Sequence, residues 1–483
     1  MPKVRIPKLR LPKLRLPKVR IPKLPIPKVR IPKLPIPKMR IPKLPIPKVG
    51  MQNVFLQKVI HFSLQVVQRL LKGPLIYYGW VLLLLALIGI GVKAYGYQFK
   101  QGLTVTGMVD QVSWGLYIGN FTFLVGVAAA AVMLIVPAYI YNFGPIKEIT
   151  VLGEVLAISA LLMCMLFVTL DLGHPERVWH LLPFIGKPNF PASLLDWDVL
   201  VLNGYLFINI AISAYLLATI YLEKKSAKWL YMPLIIVSIP WAVGIHTVTA
   251  YLFNGLGARP FWNTAILAPR FLASAFCSGP ALCIIIFQLI RKFSKFKVKD
   301  EALFKIAEIV CISMGINLLF LGAEVFKELY TDSWHKAPII YMFVGLHGHT
   351  GLVKWIWTAT TFNFLGFLLF LVPATKKNFV TLNLACVLIV VGVWLEKGLG
   401  FIVPGFIPSP LGEIYEYWPK TTEILISVGV WALGLLVYTL ALKIVIPIET
   451  GEMRVLGAST PASHEPELEP SLMKGRTLVT DTQ

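Results

Sequence analysis

Ten long apolar stretches, roughly 77–98, 113–139, 149–170, 198–222, 230–253, 264–290, 303–330, 341–373, 379–403 and 422–447, limit what this chain can fold into. A hydrocarbon core of about 30 Å is crossed by about 20 residues of helix. Without water, each backbone N–H and C=O in that core must be satisfied inside the segment, which a helix does. The expected fold is therefore all-α, a polytopic integral membrane bundle of about ten transmembrane helices. Composition agrees: 56% of the 483 residues are hydrophobic and 14% are charged, against about a quarter charged in a soluble domain. A soluble enzyme is thereby excluded.

The segment before the first span obeys other rules. Pro recurs at every fifth position from Pro2 to Pro47, and Lys likewise from Lys3 to Lys48. Proline removes an N–H and pushes its predecessor toward extended angles, so residues 1–50 read as an extended or disordered basic leader. Residues 51–76 follow as a basic amphipathic pre-membrane segment, 77–447 as the membrane domain and 448–483 as a polar tail. Of the 46 Lys and Arg, 19 precede residue 73, and the first acidic residue is Asp110, so the net charge of +22 belongs mostly to the leader. Such a segment beside an anionic leaflet gains about 1 kcal/mol per basic residue near the surface. No signal peptide is evident, since the first strong apolar run is long enough to remain as a span.

Charge also orients the spans. The short loops "GPIKE", "EKKSAKW", "RKFSKFKVK" and "TKKN" follow the second, fourth, sixth and eighth spans and are mainly basic. The positive-inside rule places them, and both termini, in the cytoplasm of a bacterium or archaeon. The opposite loops, among them "DLGHPERVWHLLPFIGKPNFPASLLDWD" and "GFIPSPLGEIYEYWPK", are longer and richer in acid.

Ionisable residues inside spans are costly and mark function. At about 1.5 Å per residue, Asp171, His246, Arg270, Glu324, His347, His349 and Glu396 all fall in the outer leaflet. Trp114, Tyr117 and Asn120 share a three-residue spacing there. Glu154 and Glu308 lie near cytoplasmic ends. Asn317 is mid-membrane, seven residues from Glu324 and on the same helical face, in position for a proton path. Asp171, His246 and Glu324 are the candidate proton-exchanging residues. Trp114, Tyr117, Asn120, Arg177, Arg270, His347 and His349 are the candidate binding residues. Three chemistries fit: a quinone, which needs hydrogen-bonding and proton-exchanging groups; a haem b, for which His246, His347 and His349 are placed as axial ligands; or ion transport through intramembrane carboxylates. Cys164, Cys277, Cys283, Cys311 and Cys386 sit in apolar runs without a C-x-x-C, so no metal or iron–sulfur site is expected.

The ordered segments "DQVSWGLYIGNFTFLVGVAAAAVMLIVPAYIYN", "LDLGHPERVWHLL", "WDVLVLNGYLFINI", "SIPWAVGIHTVTAYLFNGL", "LAPRFLASAFCSGPAL", "FVGLHGHTGLV" and "WLEKGLGFIVPGFIPSPLGEIYEYWPK" resemble the NrfD/PsrC (polysulfide reductase) family, and within it the DsrP-type subunits of dissimilatory sulfur metabolism. The resemblance covers about residues 73–447 and omits the leader. It implies a ten-helix subunit that exchanges electrons with menaquinone or another quinone and carries no haem or iron–sulfur cluster of its own. The implied partners are an extracytoplasmic ferredoxin-like iron–sulfur subunit, a multihaem cytochrome c, a haem b membrane subunit and a cytoplasmic iron–sulfur subunit. A D-L-G-x-P-x-R element maps onto Asp171, Leu172, Gly173, Pro175 and Arg177, which puts Asp171 first among quinone-side residues.

Overall fold

Helix after helix follows from the apolar runs. The computed structural model describes residues 54–181, 185–331 and 334–455, so the repeat leader and most of the polar tail lie outside the described residues. The main helices are α1 (Val54–Leu71), α2 (Leu75–Gln101), α3 (Leu116–Ile140), α4 (Thr150–Asp171), α5 (Leu194–Tyr221), α6 (Lys228–Asn254), α7 (Leu267–Phe293), α8 (Asp300–Tyr330), α9 (Val353–Leu371), α10 (Phe379–Lys397) and α11 (Thr421–Glu449). Among the described residues there are no strands beyond two isolated bridges. Nine helices, α2 to α8, α10 with its continuation to Phe406, and α11, are long and apolar enough to cross a membrane.

The tenth expected span, 341–373, is not one helix. Gly345, His347 and Gly348 have φ of +99°, +50° and +86°, and Leu346 pairs with His349 in a tight turn. Left-handed backbone cannot continue a right-handed helix. A short helix, Ala337–Phe343, thus precedes the turn, and α9 begins only at Val353. The 19 residues of α9 include Lys354, Thr358, Thr360, Thr361 and Asn363, and α9 is not among the nine. Gly398 similarly ends α10 before two short turns, Leu399–Ile402 and Val403–Phe406.

Polar contacts sort into two ends. At the end we call distal, Gln98 of α2 donates to the Leu170 carbonyl of α4 (2.9 Å), and Trp262 donates to the Phe401 carbonyl (3.0 Å). At the proximal end Lys299 meets Glu148 (2.5 Å), Lys376 meets Glu308 (3.4 Å), and α1 is tied to the segment after α11 by Arg69–Glu452 (2.9 Å). The helix starts are capped where the sequence allows: Ser193 and Asn378 accept the backbone N–H of Asp196 (3.2 Å) and Val380 (2.9 Å).

Helices α3 and α4 form the buried centre, while α2 lies on the periphery. What holds α2 is a close backbone approach to α11. A Cβ on Gly91 would lie 2.7 Å from the Gly429 Cα, the small-residue packing that membrane helices use where no hydrophobic force separates protein from lipid. Gly429→Ile is expected to cost about 1–3 kcal/mol by overpacking and to lower the thermal midpoint in detergent. Gly79→Ile, facing open space on α2, is expected to leave that midpoint unchanged.

Candidate functional site

In the distal half, Arg270 enters from the first turn of α7 and is 4% exposed. Its guanidinium pairs with Glu324 of α8 and, at 3.0 Å, with Glu396 of α10. The second oxygen of Glu396 accepts from Asn363 of α9 (2.7 Å) and Asn317 of α8 (3.3 Å). One guanidinium thus ties three helices together, and the amides complete the shell of Glu396. Asn317 and Glu324, two turns apart on α8, both reach this cluster, as their spacing requires.

Next to Glu396, Lys397 is 3% exposed. Its ammonium has no hydrogen-bond partner and lies 4.0 Å above the Phe271 ring and 5.7 Å from that of Phe401. In sequence Glu396–Lys397 looks like a surface pair; here both are buried, Glu396 in the ion cluster and Lys397 against the two aromatic rings. Sequence reasoning misses Asn363, although a lone amide inside an apolar run is the available signal.

On the other side of α10 lies a cavity of about 550 Å³. Trp355, Trp394, Trp418 and Trp431 line it with Tyr341 and Tyr417, and leucine, isoleucine and valine side chains fill the gaps. Its polar positions are few. Asn120 spends its amide on the Leu116 carbonyl (2.9 Å) and accepts both indoles, Trp394 and Trp431, at 3.0 Å. Two walls are therefore oriented by one side chain. The buried Ser427 hydroxyl of α11 has no partner. Ile424, Val428 and Trp355 are each more than a third exposed, so the cavity opens sideways between α11 and α9.

Two phenols at the cavity are held neutral. Tyr417 donates to Glu423 (2.5 Å) and accepts the Leu116 N–H (2.8 Å), and burial, then the Glu423 carboxylate, raises its pKa. The other oxygen of Glu423 accepts the N–H groups of Gly107 (2.6 Å) and Lys420 (2.9 Å). Burial, then Glu416, likewise raises Tyr341. Glu416 in turn accepts the Gly351 N–H (2.9 Å) and lies 3.7 Å from His349. Tyr341, Glu416 and His349 thus lead from the cavity toward the distal surface.

The remaining residues expected from sequence scatter. Tyr117 is buried and outside the cavity lining, donating to Gln98 (2.6 Å). Trp114 precedes α3 and packs against Phe253 (5.2 Å) and Trp262 (5.6 Å). Asp171 ends α4 with one buried oxygen unpartnered. His246 is buried, with Nδ1 on the Ala242 carbonyl (2.9 Å) and Nε2 unpartnered. Arg177 is exposed in the turn Pro175–Leu181. His347 sits in the turn before α9, not on a helix. Glu308 is a surface partner of Lys305 (3.0 Å), whereas Glu154 is fully buried against Ser213 (2.7 Å). Of the candidates, Arg270 and Glu324 meet in the ion cluster, and Asn120 lines the cavity. Among the described residues no group of three His, Cys, Asp or Glu could hold a metal ion. Sequence reasoning also misses Trp394, Trp431, Tyr417 and Ser427, since a tryptophan in a membrane helix carries no polar signal.

Arg270→Met is expected to cost about 3–5 kcal/mol, because it strands two buried carboxylates. Adding Glu324→Gln and Glu396→Gln is expected to recover most of that loss. Thermal midpoints of the detergent-solubilised protein compare the two, and equal losses would mean that the pairing is not what stabilises the site.

A family model described as polysulphide reductase, NrfD, matches residues 104–405. The chain is 26% identical to a subunit of the selenate reductase of Mesobacillus selenatarsenatis, over 80% of this chain and 98% of that protein. It is 22% identical to the Hdr-like menaquinol oxidoreductase integral membrane subunit of Archaeoglobus fulgidus, over 76% and 93%. It is 23% identical to the menaquinone reductase integral membrane subunit of Nitratidesulfovibrio vulgaris, over 75% and 90%.

Proposed function

This chain belongs to the NrfD family of polysulphide-reductase membrane proteins, a multi-pass integral membrane family, and from that premise we propose that it is the quinone-reactive subunit of a multisubunit oxidoreductase. One observation carries the reading: an apolar, tryptophan-walled cavity that opens sideways between membrane helices. Its volume lies within the range of about 300–1,000 Å³ that small-molecule sites occupy. A planar ring fits between the indoles, and the lateral mouth suits a polyprenyl tail that stays in lipid. Menaquinone is the favoured occupant, since two relatives are named for menaquinol or menaquinone. Such a substrate carries two electrons and two protons.

The chain's own residues then take these roles. Trp394 and Trp431, fixed by Asn120, sandwich the ring. The unpartnered Ser427 hydroxyl donates to a ring oxygen. Tyr341, kept protonated, hands protons to and from Glu416 and His349 at the distal surface. The ion cluster across α10 holds Trp394 and Leu395 in place. Asp171, His246 and Glu324, off the cavity wall, act on protons or on electrostatics at a distance.

The finer reading follows the resemblance of the seven segments. The distal end is extracytoplasmic, and the basic proximal loops and both termini are cytoplasmic. A ferredoxin-like iron–sulfur subunit docks distally. The rest of the assembly is a multihaem cytochrome c, a haem b membrane subunit and a cytoplasmic iron–sulfur subunit, and its substrate is a sulfur compound. The basic leader contacts anionic lipid.

Ser427→Phe fills the cavity. It is expected to lower quinol-dependent electron transfer by the purified complex at least about tenfold, with the same set of subunits assembled. Asn120→Leu, which releases both indoles, is expected to raise the quinol KM more than it lowers kcat. Full activity in Ser427→Phe would move the quinone elsewhere.

A further inference from the structure

Helix α1 is amphipathic in an inverted sense. A helix on the surface of a soluble bundle buries its apolar stripe and shows its polar one. On α1 the side toward the protein is mixed, and a separate side away from it is apolar. Phe62 and Val66 pack with Tyr221, Ile448 and Met453, and the Phe62 ring meets that of Tyr221 edge-on at 5.0 Å. Beside them Gln65 donates to the Arg454 carbonyl (3.2 Å) and Arg69 pairs with Glu452 (2.9 Å). Leu56, Val59, Ser63, Val67 and Leu71 follow one another at intervals of three, four, four and four and so form another face. All five are exposed, the four apolar ones by 42–57%.

Two sets of contacts place that stripe at a membrane surface. Between Phe62 and Arg69 the helix passes from the end of α5 to the segment that follows α11. It therefore crosses the proximal end of the bundle instead of prolonging α2. The break comes at Gly73 and Pro74, where a Cβ on Gly73 would lie 2.3 Å from the Tyr77 ring. At this corner the Tyr77 and Tyr78 hydroxyls of α2 donate to the Leu70 and Leu71 carbonyls (2.9 and 2.5 Å), which the end of a helix leaves open. Tyr78 and Trp80 are each more than a third exposed, as in the aromatic belt with which a spanning helix meets the headgroups. The last turn of α1 is thus tied to headgroup depth. Its stripe continues into the bare Leu75 and Ile76 at the start of α2.

Charge selects the lipid. No acidic residue precedes Asp110, so α1 and α2 carry no anion. Arg69 is neutralised by Glu452, whereas Lys58 and Lys72 are exposed on the polar side of the helix. Lys443 of α11 stands at the same corner, donating to the Lys72 carbonyl (2.5 Å) and lying 4.6 Å above the Tyr77 ring.

We propose that α1 is an interfacial helix that docks on anionic phospholipid: Leu56, Val59, Val67 and Leu71 enter the acyl boundary of the proximal leaflet, and Lys58 and Lys72 meet the headgroup phosphates. Burial of an apolar face and attraction to anionic lipid are the two sources of such binding. The helix thereby ties the ends of α5 and α11 to the membrane plane. None of this depends on what the cavity binds or on what the leader touches.

A fluorophore on Val67→Cys of the full chain, reconstituted in vesicles of phosphatidylcholine and phosphatidylglycerol, tests the placement. The native cysteines are buried or half-buried, and wild type treated with the same label supplies the background. Doxyl groups on the lipid chains are expected to quench position 67 strongly and aqueous iodide weakly, with the order reversed for Lys58→Cys. Iodide quenching at 67 would overturn the proposal by showing the stripe in water. Quenching by neither would overturn it by showing the stripe under protein, whether a second copy or a partner. Val59→Cys is read in the same way if the Val67 variant does not fold. Doxyl-labelled phosphatidylglycerol is expected to quench position 67 at least about twofold more than doxyl-labelled phosphatidylcholine. Lys58→Gln with Lys72→Gln, the leader left intact, is expected to abolish that preference. An unchanged preference would belong to the leader and would remove the anionic contact from α1.

Discussion

The distal half depends on a single guanidinium. Arg270 contacts carboxylates from α8 and α10 at once, and through Glu396 it reaches Asn363 of α9. In the low dielectric of a membrane interior an unpaired charge is not tolerated, and a paired one is stable only in a fixed geometry. Four helices are therefore held in one rotational setting by electrostatics rather than by apolar packing, which discriminates poorly among rotations when the neighbour could equally be lipid. The rotation of α10 then decides which of its residues face the cavity, and Trp394 and Leu395 do so because Glu396 faces the cluster.

A second organising element is economical. Asn120 accepts two indoles with one oxygen, fixing walls that come from α10 and α11. Tyr417 and Glu423 act similarly at the cavity's distal rim: one carboxylate collects a phenol and two backbone N–H groups and so closes the start of α11 over the start of α3. The cavity is thus bounded by elements whose positions polar contacts set, while its inner surface stays apolar. That division suits a ligand with a polar-edged ring and a long hydrocarbon tail.

How much of this is legible in the sequence varies with the kind of residue. Arg270, Glu324 and Asn317 stand out because a charge or amide inside an apolar run is conspicuous. Asn120 stands out for the same reason. Lys397 is visible but misleading, because adjacency to Glu396 suggests an exposed pair and nothing in the sequence tells that Phe271 and Phe401 cover it. The tryptophans of the cavity give no signal, since Trp is common in membrane helices whether it faces lipid, protein or ligand. His347 and His349 read as residues near a helix start, but positive φ at Gly345 and Gly348 makes their surroundings a turn.

The sequence by itself determined the all-helical class, the extent of most spans and the sorting of basic loops to one end. Hydropathy decides those, because a bilayer admits only segments that satisfy their own backbone and pass as apolar. Only the tertiary structure decided which polar residues meet. A helix that is apolar nearly all round has almost no preferred face, so its sequence leaves the rotation about its axis undetermined. That rotation keeps Tyr117 out of the cavity lining, brings Asn363 to Glu396, and sets Ser213 of α5 against Glu154. It is fixed by contacts between residues tens to hundreds of positions apart, which no local pattern encodes.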